Sequence, residues 1–82
     1  MKPTMQQHND FLAHRPILGV TFQHNDFVEV ISGEHAGHRG SLVSVEELGD
    51  DTVYLVELDT GNDALISQSL LRVVSSSQIA EM

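Results

Sequence analysis

Short runs of apolar residues, separated by turn-forming residues, mark the chain from residue 27 onward. The runs are rich in Val, Ile and Leu, which favour strands. Between two of them stand Gly49, Asp50 and Asp51, which have the chemistry of a hairpin turn. The predicted strands are residues 27–32, 41–45, 53–58, 64–66 and 71–74, with one helical turn at 68–70. Five short strands joined by tight turns predict an all-β barrel or sandwich.

The beginning of the chain has a different pattern. Residues 1–10 are polar, with no regular spacing of apolar positions, and predict a tail or loop. Asn9 or Asp10 is suited to cap a helical turn at residues 11–13, which Pro16 would end because proline disfavours helix at the residue before it. We therefore expect a loop, a short helix or an extra strand here rather than part of the main sheet.

The pentapeptide Gln-His-Asn-Asp-Phe occurs twice, at residues 7–11 and 23–27. A structural repeat unit needs roughly 20 residues or more, so we interpret this repeat as a local duplication used as a turn. Between the copies, residues 17–22 form an apolar run that predicts an extra strand. The predicted order is an N-terminal extension, a barrel and a flexible tail, at residues 1–25, 26–74 and 75–82.

Alternation along the strands predicts the core. Tyr54 lies on the same side of its strand as Val56 and Leu58, so it is either a core residue with its hydroxyl at the rim or an anchor for a partner. The core position is favoured. The predicted core residues are Val28, Val30, Leu42, Val43, Val45, Val53, Leu55, Val56, Leu58, Leu65, Leu70 and Val73.

Twelve Asp and Glu residues against four Lys and Arg residues give the chain a net charge of −8. Nucleic-acid affinity depends largely on clustered cations, whereas Lys2, Arg15, Arg39 and Arg72 are scattered singly. An acidic surface favours a basic protein partner, whose approach it accelerates. The alternative is that the charge only maintains solubility. The small size of the chain also leaves a dimer open, since a second copy would add buried surface.

Several kinds of chemistry lack the residues that they require. The chain has no cysteine, which excludes disulfides and thiolate zinc sites. His35 and His38 offer two imidazoles where zinc takes three or four ligands, so no metal or other cofactor is expected. No motif joins a nucleophile to a base, so no enzyme is expected. No apolar stretch approaches the roughly 20 residues of a membrane span, and the expected location is the cytoplasm.

Residues 26–33 have the sequence Asp-Phe-Val-Glu-Val-Ile-Ser-Gly and are followed by Gly37, Gly40 and then Ser-Leu-Val. This pattern resembles the KOW motif, which opens SH3-like barrels in transcription elongation factors and several ribosomal proteins. A tight loop between two twisted strands needs positive φ angles, which we expect at Gly33, Gly37 and Gly40. The resemblance covers residues 26–74 and implies an SH3-like barrel of about five short antiparallel strands.

The loop of this motif departs from the family pattern. Nucleic-acid-binding members carry Lys and Arg there, whereas this chain has Glu34, His35, His38 and Arg39. Arg39 alone keeps the basic character, and Glu34 would repel a phosphate. The chain is also poor in the aromatic residues on which bases stack. The resemblance thus implies the fold and leaves nucleic-acid binding open but disfavoured by charge.

Fold, charge and the absence of catalytic motifs predict a small non-catalytic protein-binding module, an adaptor or inhibitor that presents an acidic face to a basic protein. The alternative is a KOW-type factor that contacts RNA, DNA or their machinery through the glycine loop. A third hypothesis is mimicry of phosphates by carboxylates. The barrel edge is expected to accept a strand from a partner. The candidate partner-binding residues are Glu34, His35, His38, Arg39, Glu46, Glu47, Asp50, Asp51, Tyr54 and Asp59.

Overall fold

The computed structural model describes residues 1–75, which form one α-helix, one 3₁₀ turn and five strands. The all-β prediction is confirmed. The elements in chain order are α1 Met5–Leu12, β1 Phe27–Val30, β2 Arg39–Glu47, β3 Val53–Leu58, β4 Asp63–Ser67, the 3₁₀ turn Gln68–Leu70 and β5 Leu71–Ser75. The tail predicted at residues 75–82 lies outside the described residues, except for Ser75, which ends β5.

The five strands form one antiparallel sheet in the order β4-β3-β2-β1-β5. Val28 of β1 pairs with Gly40 of β2, and Leu42 of β2 pairs with Val56 of β3, which in turn pairs with Ala64 of β4. Within residues 1–75, β4 and β5 are the two ends of the sheet and do not pair with each other. The sheet is therefore open where a closed barrel would join these strands, and each of them keeps a free edge.

The segment at residues 17–22 is not a strand, and this prediction is wrong. Its backbone groups bond to side chains instead of to a neighbouring strand: Thr21 N donates to Gln68 Oε1 at 2.9 Å, and Phe22 N donates to the Tyr54 hydroxyl at 3.3 Å. Gly19, with φ of +86°, turns the chain within the segment. The segment lies against the sheet as an irregular strap in which Ile17, Val20 and Phe22 pack on the core, whereas Leu18 is exposed.

The helix begins earlier than predicted. Thr4, not Asn9 or Asp10, is its N-cap, and the Thr4 and Gln7 side chains form a reciprocal capping box. Asn9 and Asp10 lie inside the helix. Phe11 is its buried side chain and attaches the helix to the core. The capping box supplies partners for backbone N–H groups at the first turn of an otherwise polar helix.

The core is built from inward-facing positions of the strands and from Phe11. In β3 the inner positions belong to Tyr54, Val56 and Leu58, and in β4 to Ile66. The predicted core residues that face outward or lie at the margin are Val43, Val53 and Leu55, which are half-buried, Leu65 and Val73, which are exposed, and Leu70, which packs on the margin. The core residues are Phe11, Val28, Val30, Leu42, Val45, Leu48, Tyr54, Val56, Leu58, Ile66 and Leu71.

Gly40 holds β2 and β3 together by its lack of a side chain. A Cβ atom at this position would lie 2.2 Å from the carbonyl oxygen of Glu57, so no other residue fits without moving the backbone of β3. Gly33 and Gly37 have the expected positive φ angles of +91° and +90°. Gly40 does not have a positive φ angle, so that prediction is wrong. Glycine is needed at position 40 for a different reason, the close approach of β2 and β3.

Replacing Gly40 by alanine is expected to lower the free energy of unfolding by about 3 kcal/mol, because the added methyl group meets backbone rather than a movable side chain. Urea denaturation followed by circular dichroism measures the change. Gly37→Ala is the matched comparison: its added methyl has no atom within 4 Å, so only its positive φ is costly, by about 1 kcal/mol. Equal losses for the two variants would contradict the close-approach argument.

Candidate functional site

The loop between β1 and β2, residues 31–38, carries Glu34, His35 and His38. Its ends are closed by two backbone hydrogen bonds: Gly37 N donates to Val30 O at 2.8 Å, and Val30 N donates to His38 O at 2.9 Å. The loop is thus anchored to the end of β1, which fixes the position of the side chains that it carries.

His38, Arg39 and Asp59 meet where this loop approaches the turn between β3 and β4. His38 Nδ1 lies 3.1 Å from Asp59 Oδ1, and Arg39 N donates to Asp59 Oδ2 at 3.3 Å. These contacts, the Arg39 amide above all, hold the pKa of Asp59 below its ordinary value of 3.8. Asp59 N in turn donates to Arg39 O at 2.7 Å. The Asp59 carboxylate therefore fastens the loop to the sheet.

Arg39 is, among residues 1–75, the one Lys or Arg whose side chain has no ion pair. A single unpaired guanidinium gives little of the clustered charge on which nucleic-acid affinity depends. The loop that precedes it also carries Glu34, whose carboxylate opposes a phosphate. The other cations are neutralised in the pairs Lys2–Glu47 at 3.5 Å, Arg15–Asp10 at 2.9 Å and Arg72–Glu29 at 2.5 Å.

The carboxylates predicted as one acidic face lie at two ends of β3. Glu46, Glu47, Asp50 and Asp51 are at or beside the turn between β2 and β3, whereas Glu57, Asp59 and Asp63 lie at or just beyond the far end of β3. The six residues of β3 span about 20 Å at roughly 3.3 Å per residue. The predicted carboxylates therefore form two separate groups.

Several carboxylates of the first group have partners within the chain. Asp51 accepts hydrogen bonds from the amide and the hydroxyl of Ser69, at 3.1 and 2.7 Å. The Ser44 hydroxyl donates to Glu46 at 2.5 Å. The amino group of Met1, 2.6 Å from Glu47, lowers the pKa of that carboxyl below its ordinary value of 4.5. Asp50 is exposed, and no ion pair or hydrogen bond engages its carboxylate within residues 1–75.

Tyr54 belongs to the core and not to the surface, as the favoured prediction held. Its side chain is fully buried, so it cannot contact a partner without unfolding of β3. Its hydroxyl donates to Gln68 Oε1 and accepts from Phe22 N, and Gln68 Nε2 donates to Gly19 O at 3.2 Å. The Tyr54 hydroxyl thus connects β3, the 3₁₀ turn and the strap.

An apolar pair with acidic neighbours lies on the side of β3 and β4 that faces away from the core. Leu55 pairs with Leu65, which is 62% exposed, and Glu57 pairs with Asp63. We call these four residues the outer face. The acidic side chains in the second half of the sequence gave a signal for Glu57 and Asp63. The prediction placed both leucines in the core, because apolar residues also fill the inner positions of β3.

A groove of about 210 Å³ opens beside the outer face, between β4 and the loop after β1. Its size is below the roughly 300–1,000 Å³ of pockets for drug-sized ligands. We call it the β4 groove. Its lining combines apolar side chains with Glu34 and His35, so the structure brings these two predicted residues together beside β4. The lining residues used below are Val30, Glu34, His35, Leu65, Ile66 and Leu70.

No group of three His, Cys, Asp or Glu side chains in residues 1–75 is arranged to hold a metal ion. The same residues include no helix long and apolar enough to cross a membrane. Comparison of the chain with protein-family models, with curated proteins and with solved structures found no match. Function must therefore be argued from the outer face, the β4 groove and the loop beside them.

Titration of Tyr54 tests its burial. Desolvation raises its pKa from 10.0 to about 12, and it is the only tyrosine in a chain without tryptophan, so tyrosinate absorbance measures this one group. We expect a midpoint near 12 in the folded protein and near 10.0 in denaturant.

The same shift makes stability depend on pH. Because the folded protein binds the Tyr54 proton more tightly than the unfolded chain does, its contribution to stability is complete below pH 10.0 and is lost as pH rises toward about 12. The slope in this range is at most about 1.4 kcal/mol per pH unit. Tyr54→Phe, measured by urea denaturation, should remove this slope. A folded-state midpoint near 10.0 would contradict the burial argument.

Proposed function

We propose that this protein is a non-catalytic protein-binding module that presents the acidic outer face of β3 and β4 to a basic protein partner. The observation that carries the proposal is the pairing of half-buried Leu55 with exposed Leu65 on the outer face, with two unpaired carboxylates next to them. Apolar residues bordered by charge are the usual composition of a protein-binding surface, since the apolar centre supplies affinity and the charged rim supplies specificity.

The Glu57–Asp63 pair supports a cationic partner. The two residues lie directly opposite each other on neighbouring strands, and both are exposed. Like charges in this position are destabilising, so the pair costs the free protein stability. Within the described part of the chain no cation or hydrogen-bond donor engages either carboxylate. A lysine or arginine of a partner placed between them would relieve the repulsion.

The net charge of −8 also favours a basic partner, and it acts over a longer distance than the Glu57–Asp63 pair does. It draws a basic protein toward the surface and raises the association rate, and it repels nucleic acid. Arg39, at the start of β2, is the one unpaired guanidinium among residues 1–75, and the loop before it carries Glu34. These charges favour a basic protein over a phosphate backbone, which is the ligand of the alternative KOW-type function.

A pull-down with matched single-charge variants tests the proposal. Glu57→Gln removes a carboxylate from the outer face, and Asp50→Asn removes an equally unpaired carboxylate in the turn between β2 and β3. Each form is used to capture proteins from a lysate at low and high salt, with and without nuclease. The retained basic protein is then purified, and its affinity for each form is measured by calorimetry.

We expect one basic protein to be retained by the unchanged chain and by Asp50→Asn, released by high salt and insensitive to nuclease. Glu57→Gln should bind it about tenfold more weakly, because the lost charge faces the partner. The same variant should be no less stable than the unchanged chain, since it removes a repulsion. Equal affinities for the two variants would contradict the proposal that the outer face binds the partner. Retention that nuclease abolishes would favour the KOW-type function.

A further inference from the structure

We infer that the β4 groove takes up an extended, basic segment of the partner, which adds as a sixth strand to the free edge of β4. This inference rests on the proposed function and names the part of the partner that is recognised. It depends on three features of the molecule: the unpaired backbone edge of β4, the lining of the groove, and the position of the outer face beside it.

The backbone of Leu65 is directed toward the free side of β4. Gln68 N donates to Thr52 O at 2.6 Å, and Leu58 N donates to Asn62 O at 2.9 Å, so hydrogen-bonded pairs stand at both ends of the β3–β4 ladder. Hydrogen-bonded and non-hydrogen-bonded pairs alternate in an antiparallel ladder, which makes Leu55–Leu65 a non-hydrogen-bonded pair. The N–H and C=O of Leu65 therefore point away from β3, to a side on which no strand of residues 1–75 lies.

The groove lies along this edge, and its lining suits the side chain of a lysine or arginine. Val30, Ile66 and Leu70 form apolar walls that match an aliphatic stem. Glu34 supplies a carboxylate for the charged end, and no lysine or arginine lines the groove. A volume of about 210 Å³ accommodates one or two side chains and excludes a helix or a folded domain.

Strand addition at β4 joins the groove to the outer face. Side chains of an added strand alternate between the two sides of the sheet. A residue beside Leu65 would lie on the outer face, and its neighbour in sequence would enter the groove toward Glu34. A further residue, beside Asp63, would again lie on the outer face. The groove lining includes Ile66 and not Ala64, so the residue that enters the groove and the residue beside Asp63 stand on opposite sides of the central residue. The expected segment therefore has an apolar residue with a basic residue directly on one side and a second basic residue two positions away on the other side.

The free edge of β5 is less suited to a basic segment. In this edge strand Val73 is paired with Val28, and Arg72, the residue before it, is paired with Glu29. Arg72 is a cation and is already paired with Glu29 at 2.5 Å. No residue of β5 lines the β4 groove. The β5 edge therefore serves as the internal control for strand addition.

The test uses the full chain and a display library of short random peptides as the probe. Peptides selected on the unchanged protein are measured against Leu65→Pro, which removes the free N–H of the β4 edge without removing a bond to β3. Val73→Pro makes the same change at the β5 edge. Glu34→Gln removes the carboxylate of the groove. Circular dichroism establishes that each variant is folded.

We expect selected peptides to be extended and basic, to bind Leu65→Pro and Glu34→Gln about tenfold more weakly, and to bind Val73→Pro within about threefold of the unchanged chain. Alternate N-methylation of one peptide is a second measurement that needs no variant to fold. Methylation of one alternating set of amides should abolish binding, and methylation of the other set should not. Equal effects of both sets, or selected peptides that are helical or acidic, would overturn the inference.

The result separates this inference from the proposed function. If the purified basic partner loses affinity for Glu57→Gln but binds Leu65→Pro and Glu34→Gln normally, the outer face acts without strand addition, and only the inference fails. If no basic partner depends on Glu57, the proposed function fails. Peptides that depend on Leu65 and Glu34 would then show that the groove is an independent peptide site.

Discussion

The burial of Tyr54 determines which side of β3 faces the core, and the exposed features on and beside β4 depend on that choice. Side chains alternate strictly along a strand, so the inward position of Tyr54 turns Leu55 and Glu57 outward. The register between β3 and β4 then places Leu65 and Asp63 beside them. The Tyr54 hydroxyl strengthens this orientation, because its bonds to Gln68 and to the strap would be lost if the strand turned over.

A second constraint is the gap between β4 and β5. Closing the sheet would pair these strands and consume the free edge of β4. Here the chain bridges the two through the 3₁₀ turn at Gln68–Leu70, and Ile31 N donates to Leu70 O at 2.8 Å. Leu70 lies at the margin of the core and lines the β4 groove. The groove and the unpaired edge of β4 are thus two results of one incomplete ladder.

The strands could be predicted because Val, Ile and Leu are concentrated between turn residues, and the bounds of β3 agree with the structure. The assignment of side chains to the core was less successful, because Val53, Tyr54, Leu55 and Val56 are apolar on both faces. The loop residues Glu34 and His35 were candidates from the glycine pattern, and the structure places both in the lining of the β4 groove. The leucine pair was missed as a surface, since the register between β3 and β4 and the burial of one face, which together place Leu55 beside Leu65 on the outer side, are not visible in local composition.

The repeated pentapeptide separates what the sequence determined from what tertiary structure decided. The sequence itself determined the succession of β-forming runs and turns, because these depend on local preferences. The pentapeptide sequence did not determine the backbone conformation of its two copies. The first copy lies in α1, whereas the second forms a turn leading into β1, with Asn25 at φ of +69°. In the first copy the Thr4 capping box begins a helix, whereas in the second Asn25 N donates to Leu42 O at 2.9 Å. Identical residues adopt different backbones because each copy also depends on hydrogen-bond partners outside the pentapeptide, and these partners differ.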